Sequence, residues 1–111
     1  MSSSGWIGVD LDGTLAKYDG WQGADHIGEP IGPMLERVKA WLAKGQAVKI
    51  FTARVCIDRE AVVAVIDAWC MKHFDQVIEV TNTKDYGMIE LWDDRAVQVI
   101  PNSGKRADGN P

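Results

Sequence analysis

Apolar residues along this chain fall into short blocks of strand length and two longer stripes of helical spacing. Trp6–Val9 is the first block, and it closes abruptly on Asp10. Ala47–Phe51, Val77–Val80, Ile89–Trp92 and Ala96–Ile100 are four more. Continuous apolar runs of this length read as strands buried in a parallel sheet. Met34, Leu35, Val38, Trp41 and Leu42 share one face of a predicted helix, with Pro30 and Pro33 at its start and Lys44-Gly45 at its end. Val62, Val65, Ile66 and Trp69 mark a second helix that opens on the capping residue Asp58 and closes at Lys72-His73. Strands alternating with helices predict an α/β fold with a mostly parallel five-stranded sheet.

Two stretches depart from that rhythm. Residues 13–29 are rich in glycine, aspartate and aromatics and carry no period, so they read as a long loop expected to cover a site. The link from Val80 to Ile89 leaves about eight residues, too few for a helical crossover of about ten to twelve. The segment 101–111 has little apolar content and is expected to be a flexible tail after a single domain over 1–100.

Reactive residues cluster where the predicted strands stop. Asp10 and Asp12 follow the first strand, Thr52-Ala53-Arg54 the second, Lys84 lies past the third, and Asp93-Asp94-Arg95 follow the fourth. Parallel strands bring all of these to one sheet edge, where α/β proteins place their chemistry. Two carboxylates one residue apart repel unless a cation or a shared proton relieves them. A Mg²⁺-dependent phosphoryl-transfer site explains the set. Asp10 is the candidate nucleophile and metal ligand, and Asp12 the candidate acid and base with its carbonyl near the metal. Leu11, Asp12 and Gly13 are expected to turn backbone N–H groups toward phosphoryl oxygens, with Gly13 allowing the tight bend. Thr52 offers a hydroxyl, Lys84 a positive charge, and Asp93 and Asp94 complete the metal site. Ala53 and Arg54 are placed beside the substrate; Arg54 either holds a phosphate or pairs with an acid. Arg95 is expected in a structural ion pair.

The order Asp-Leu-Asp-Gly-Thr at 10–14, then Thr52, Lys84 and Asp93-Asp94, resembles the haloacid dehalogenase (HAD) superfamily of phosphatases, over residues 6–100. The resemblance implies a Rossmann-like three-layer sandwich, a nucleophile at Asp10 that forms an aspartyl phosphate, an acid/base at Asp12, phosphate contacts from Thr52 and Lys84, and Mg²⁺ held by Asp10, Asp12, Asp93 and Asp94, with Asp94 as the direct ligand of the last pair. Residues 15–29 and 81–88 are too short for a cap domain, so the resemblance is to small capless members. Such open sites suit a phosphorylated protein or nucleic-acid end, or a smaller phosphorylated molecule covered by a neighbouring subunit of a homo-oligomer. A phosphate-binding module with little turnover, or a phosphotransferase, is the alternative.

Composition narrows this further. The formal net charge is −4, which disfavours broad electrostatic binding to nucleic acid. The two cysteines, Cys56 and Cys70, form no disulfide framework, and with His73 they make no zinc spacing. The opening Met1-Ser-Ser-Ser lacks the features of a signal peptide, and no apolar run reaches membrane-span length, so a cytoplasmic protein is expected. Of five tryptophans, Trp6, Trp41, Trp69 and Trp92 are expected in the core. Trp21, beside Tyr18 and His26 in the long loop, is the one placed to meet a substrate.

Overall fold

The computed structural model describes residues 5–111; the reading of residues 1–4 as no signal peptide lies outside them. Strands β1 (Trp6–Asp10), β2 (Ala47–Phe51), β3 (Glu79–Thr81) and β4 (Met88–Trp92) form one sheet in the order β3-β2-β1-β4. All three pairings are parallel. Helix α1 (Gly32–Ala43) links β1 to β2, and α2 (Arg59–Phe74) links β2 to β3 after a 3-10 turn at Ala53–Cys56. The chain is therefore an α/β protein with a parallel four-stranded sheet. No helix among the described residues is long and apolar enough to cross a membrane.

The helices form where their apolar stripes and ends require. Met34 and Val38 of α1 are buried, as are Val62, Ile66, Trp69, Cys70 and Phe74 of α2. Asp58 caps α2 as expected, accepting a hydrogen bond from the Ala61 N–H at 3.3 Å. The helix runs one residue beyond His73 and ends on Asp75 in a left-handed conformation at φ 59°. Pro33 lies in the first turn of α1, but Pro30 precedes the helix and bridges Ala16 instead.

Both helices cover the same face of the sheet. Ile7 and Val9 of β1, Val48 and Ile50 of β2 and Val80 of β3 share one buried cluster with the inward residues of α1 and α2. Two crossovers that step the same way across a parallel sheet, from β1 to β2 to β3, have this outcome when both keep the usual hand. The expected three-layer sandwich is thus corrected to two layers. On the second face lie Trp6, Lys49 and Phe51, with Lys49 Nζ 4.6 Å from the Trp6 ring and 3.2 Å from Glu79.

The short link 82–87 crosses that second face. Trp6 Nε1 donates to Asp85 Oδ1 at 2.9 Å and Trp6 N–H to the Gly87 carbonyl at 2.7 Å. With Phe51 and Lys49 packed on its ring, Trp6 is 5% exposed although no helix among the described residues covers it. The indole hydrogen bond, followed by the Gly87 N–H, holds the exposed Asp85 carboxyl below its ordinary range.

The fifth strand does not form. Val97, Val99 and Ile100 are about half exposed, and Val99 pairs antiparallel with Arg106. Ile100 N–H donates to Lys105 O, and Ala107 N–H to Gln98 O, both at 2.8 Å. The segment expected to be a structureless tail therefore folds back on residues 98–100 and satisfies them locally, so they do not extend β4.

Replacing Ile50, fully buried between the helices and the sheet, by Ala is expected to destabilise the fold by about 2–5 kcal/mol in urea unfolding. Ile89→Ala, at a side chain 53% exposed, is expected to change stability by less than about 0.5 kcal/mol.

Candidate functional site

The chain leaves β1 through a turn that apolar anchors hold. Leu11, Leu15 and Ala16 have no exposure, while Asp12, Gly13 and Thr14 between them reach the surface. Leu15 and Ala16 N–H groups both donate to the Leu11 carbonyl, at 3.0 and 2.8 Å. Gly13 has φ +90°, and a Cβ there would lie 2.5 Å from Asp94 Oδ2. Glycine is required here both by backbone sign and by the carboxylate packed against it. The Gly13 N–H donates to the Ala16 carbonyl at 2.8 Å. It is spent on closing the turn, which corrects the expectation that it faces a phosphoryl oxygen.

The acids meet as the strand ends predict. Asp10, Asp93 and Asp94 each place a carboxylate oxygen within 4.8 Å of the other two. Asp10 is the last residue of β1, and β4 ends beside it with Trp92 paired to Val9. Thr14 joins the cluster. Its hydroxyl lies 3.3 Å from both Asp10 Oδ2 and Asp94 Oδ1, and accepts from the Asp94 N–H at 3.0 Å. No function was assigned to Thr14 from sequence, although its hydroxyl falls four residues after Asp10, in the turn that brings the chain back over the strand end. Asp93 accepts from the Arg95 N–H at 2.7 Å, which fixes the loop after β4.

Burial first, then the hydrogen bond to Asp94 and the charges of Asp93 and Asp94, push the Asp10 carboxyl up to about 7, against a smaller opposing effect of Thr14. Three clustered carboxylates are thus held against their own repulsion. An all-oxygen donor set of this charge suits a hard divalent cation such as Mg²⁺ rather than a softer metal. Asp10, Asp93 and Asp94 are the residues that could hold it. The Asp12 carboxylate, expected nearby, is directed elsewhere.

Asp12 is paired with Arg54. The guanidinium Nε donates to Oδ2 at 2.7 Å and Nη2 to Oδ1 at 2.8 Å, a bidentate pair. Of the two readings left open for Arg54, pairing with an acid is the one found. Its side chain is 5% exposed, and Nη1 also donates to the Ala24 carbonyl at 3.4 Å. The guanidinium carbon lies 5.1 Å from the centre of the Trp21 ring. Thr52 is buried, and its hydroxyl oxygen accepts from the Arg54 N–H at 3.2 Å, capping the 3-10 turn. Its O–H hydrogen remains for a group in the cleft.

A cleft of about 450 Å³ opens over these residues. Asp10, Asp12, Asp93 and Asp94 line it, with Thr52, Ala53 and Arg54 alongside. Arg95, expected in a structural ion pair, forms none among the described residues and lines the cleft instead. Lys84 is exposed and does not line it. The next residue, Asp85, is tied to Trp6 at the start of β1, so the link has already descended toward the far end of the sheet. A larger hollow of about 620 Å³ lies between α2 and β3, around Val63, Ile78 and Val80, and contains none of the expected site residues. Comparison with family models, curated proteins and solved structures returns no match for this chain.

A carboxyl whose folded value is raised binds a proton more tightly folded than unfolded. Between about 4 and about 7 the folded metal-free protein holds more protons at Asp10, so this group's contribution to stability falls as pH rises through that window. Thermal melts of metal-free protein are expected to show that decline. At pH 7.5, Asp10→Asn is expected to melt a few degrees higher than wild type without metal, and Mg²⁺ is expected to raise the wild-type melting temperature more than that of the variant.

Proposed function

We propose that this protein is a Mg²⁺-dependent phosphomonoesterase of the HAD type, working through an aspartyl phosphate at Asp10. The observation that carries the reading is the meeting of Asp10, Asp93 and Asp94 within 4.8 Å at the sheet edge, with Asp12 two residues from the nucleophile. The parallel sheet order, with β1 flanked by β2 on one side and β4 on the other, puts this cluster where α/β sheets bind ligands.

Asp10 Oδ attacks phosphorus, a P–Oδ bond forms, and the ester P–O bond breaks. Once freed from Arg54, Asp12 takes up a proton from solvent and gives it to the departing alkoxide; it then takes a proton from the water that attacks phosphorus as the P–Oδ bond breaks. For that work Asp12 must first be released from the paired guanidinium. A substrate phosphate offers Arg54 a competing bidentate partner, so substrate arrival itself frees the acid. Thr52 donates its hydroxyl to a phosphoryl oxygen. Asp10, Asp93 and Asp94 would hold a Mg²⁺ ion, which would neutralise charge on the phosphoryl oxygens. The cations lining the cleft are Arg54 and Arg95, and Lys84 takes the part its sequence position suggests only if the 82–87 link moves.

One observation favours a second reading, a phosphate-binding module with little turnover: both Asp12 oxygens are already engaged by Arg54. Calorimetric binding of a phosphate ester with no phosphate release would select it.

With p-nitrophenyl phosphate and Mg²⁺, wild type is expected to release phosphate and Asp10→Asn to lose about a thousandfold or more of that rate. Asp12→Asn is expected to lose about 10²–10⁴-fold in kcat. Equal rates for wild type and Asp10→Asn would falsify the phosphatase reading.

A further inference from the structure

The long loop carries two large aromatic side chains that the fold leaves half exposed. Trp21 is 51% and Tyr18 48% exposed, and both line the cleft beside the carboxylates. Rings left half exposed keep an apolar face available to a ligand. Trp21 is nevertheless held in place. Its ring lies against the Arg54 guanidinium, which is fixed by Asp12 and by the Ala24 carbonyl three residues further along the same loop. The base of the loop is also tied down. Lys17 N–H donates to the Glu29 carbonyl at 2.9 Å and Trp69 Nε1 to the Gly28 carbonyl at 3.1 Å. Gly28 packs so closely on the Lys17 carbonyl that any Cβ would collide with it. The ordering cost of presenting an aromatic surface is thus met before a ligand arrives.

The rest of the cleft fits a ligand with a charged head and a flat body. Phe51 and Ile57 add apolar surface, and Arg95 adds a cation without an ion-pair partner among the described residues. A volume of about 450 Å³ holds a molecule of nucleotide size. A phosphate on a small aliphatic alcohol would leave the aromatic wall untouched.

We propose that the cleft selects nucleoside phosphates, with the base stacked on Trp21 and the phosphate at Asp10. The inference rests on the phosphatase reading for where the phosphate sits. Stacking on a ring is tolerant of base identity, since every base has a π face. The site therefore discriminates nucleoside phosphates from base-free sugar phosphates more sharply than one base from another.

The test compares AMP with ribose 5-phosphate, the same sugar and phosphate without the base, in Mg²⁺. Both kcat/KM and calorimetric affinity are measured for wild type, Trp21→Leu and Trp21→Phe. In wild type AMP is expected to be preferred by about tenfold or more, mostly through KM. That ratio, taken within each protein, is expected to fall about tenfold in Trp21→Leu and to be largely kept in Trp21→Phe. A 3′-phosphorylated oligonucleotide beside the matching nucleoside 3′-monophosphate separates the two sources of this chemistry: faster turnover of the oligonucleotide identifies a chain end, the reverse a free nucleotide. Hydrolysis of AMP and ribose 5-phosphate with equal efficiency, unchanged in ratio by Trp21→Leu, overturns the proposal and leaves the phosphatase reading standing. Trp21-dependent preference in binding, with no phosphate released from any substrate, does the opposite.

Discussion

Mutual repulsion among Asp10, Asp93 and Asp94 is the constraint around which this molecule is arranged. Like charges this close favour protonation or a counter-ion, and the half-buried position of Asp10 strengthens the demand. The fold resists by rigidity. Asp10 ends the most buried strand, with neighbours on both sides, and Leu11 and Leu15 pin the turn that follows. Thr14 bridges two of the acids by hydrogen bonding, and Gly13 leaves room for Asp94 where any side chain would displace it.

The second acid of the opening motif is stabilised in another way. Asp12 is neutralised by Arg54 rather than by a cation from solution, and the same guanidinium supports Trp21 and the Ala24 carbonyl. One buried side chain thus couples the candidate acid to the position of the loop. Removing one partner of such a pair leaves a charge with no local compensation, which is costly in a poorly solvated site. Any ligand that draws Arg54 away from Asp12 also alters what holds Trp21, so acid release and loop position are linked.

A two-layer architecture sets the limits of the site. With both helices on one face, the link 82–87 and the sheet's own side chains, Lys49 and Phe51 among them, lie on the other. Asp85 and Gly87 tie that link to Trp6 at the end of β1 remote from Asp10. The same attachment that protects Trp6 takes the backbone next to Lys84 away from the acids. Positive charge at the cleft accordingly comes from the ends of β2 and β4, where Arg54 and Arg95 stand.

The sequence by itself determined the local elements and the main acids. Apolar runs such as Trp6–Val9 and Ala47–Phe51 read as strands, and Asp58 before an apolar stripe reads as a helix start, and both form there. Because parallel strands share one direction, acids that end them must converge, and Asp10 does meet Asp93 and Asp94 without any knowledge of packing. What the tertiary structure decided was everything that depends on which partner lies across space. Val97, Val99 and Ile100 have strand chemistry, yet residues 98–100 pair with 105–107 rather than joining the sheet. Arg54 had two possible partners, and only the path of the loop brought Asp12 to its guanidinium. Lys84 has the spacing of a site residue, but a hydrogen bond from an indole to its neighbour Asp85 fixed where that link could go. Local pattern determines what a segment can be; long-range geometry determines which of its possible partners it meets.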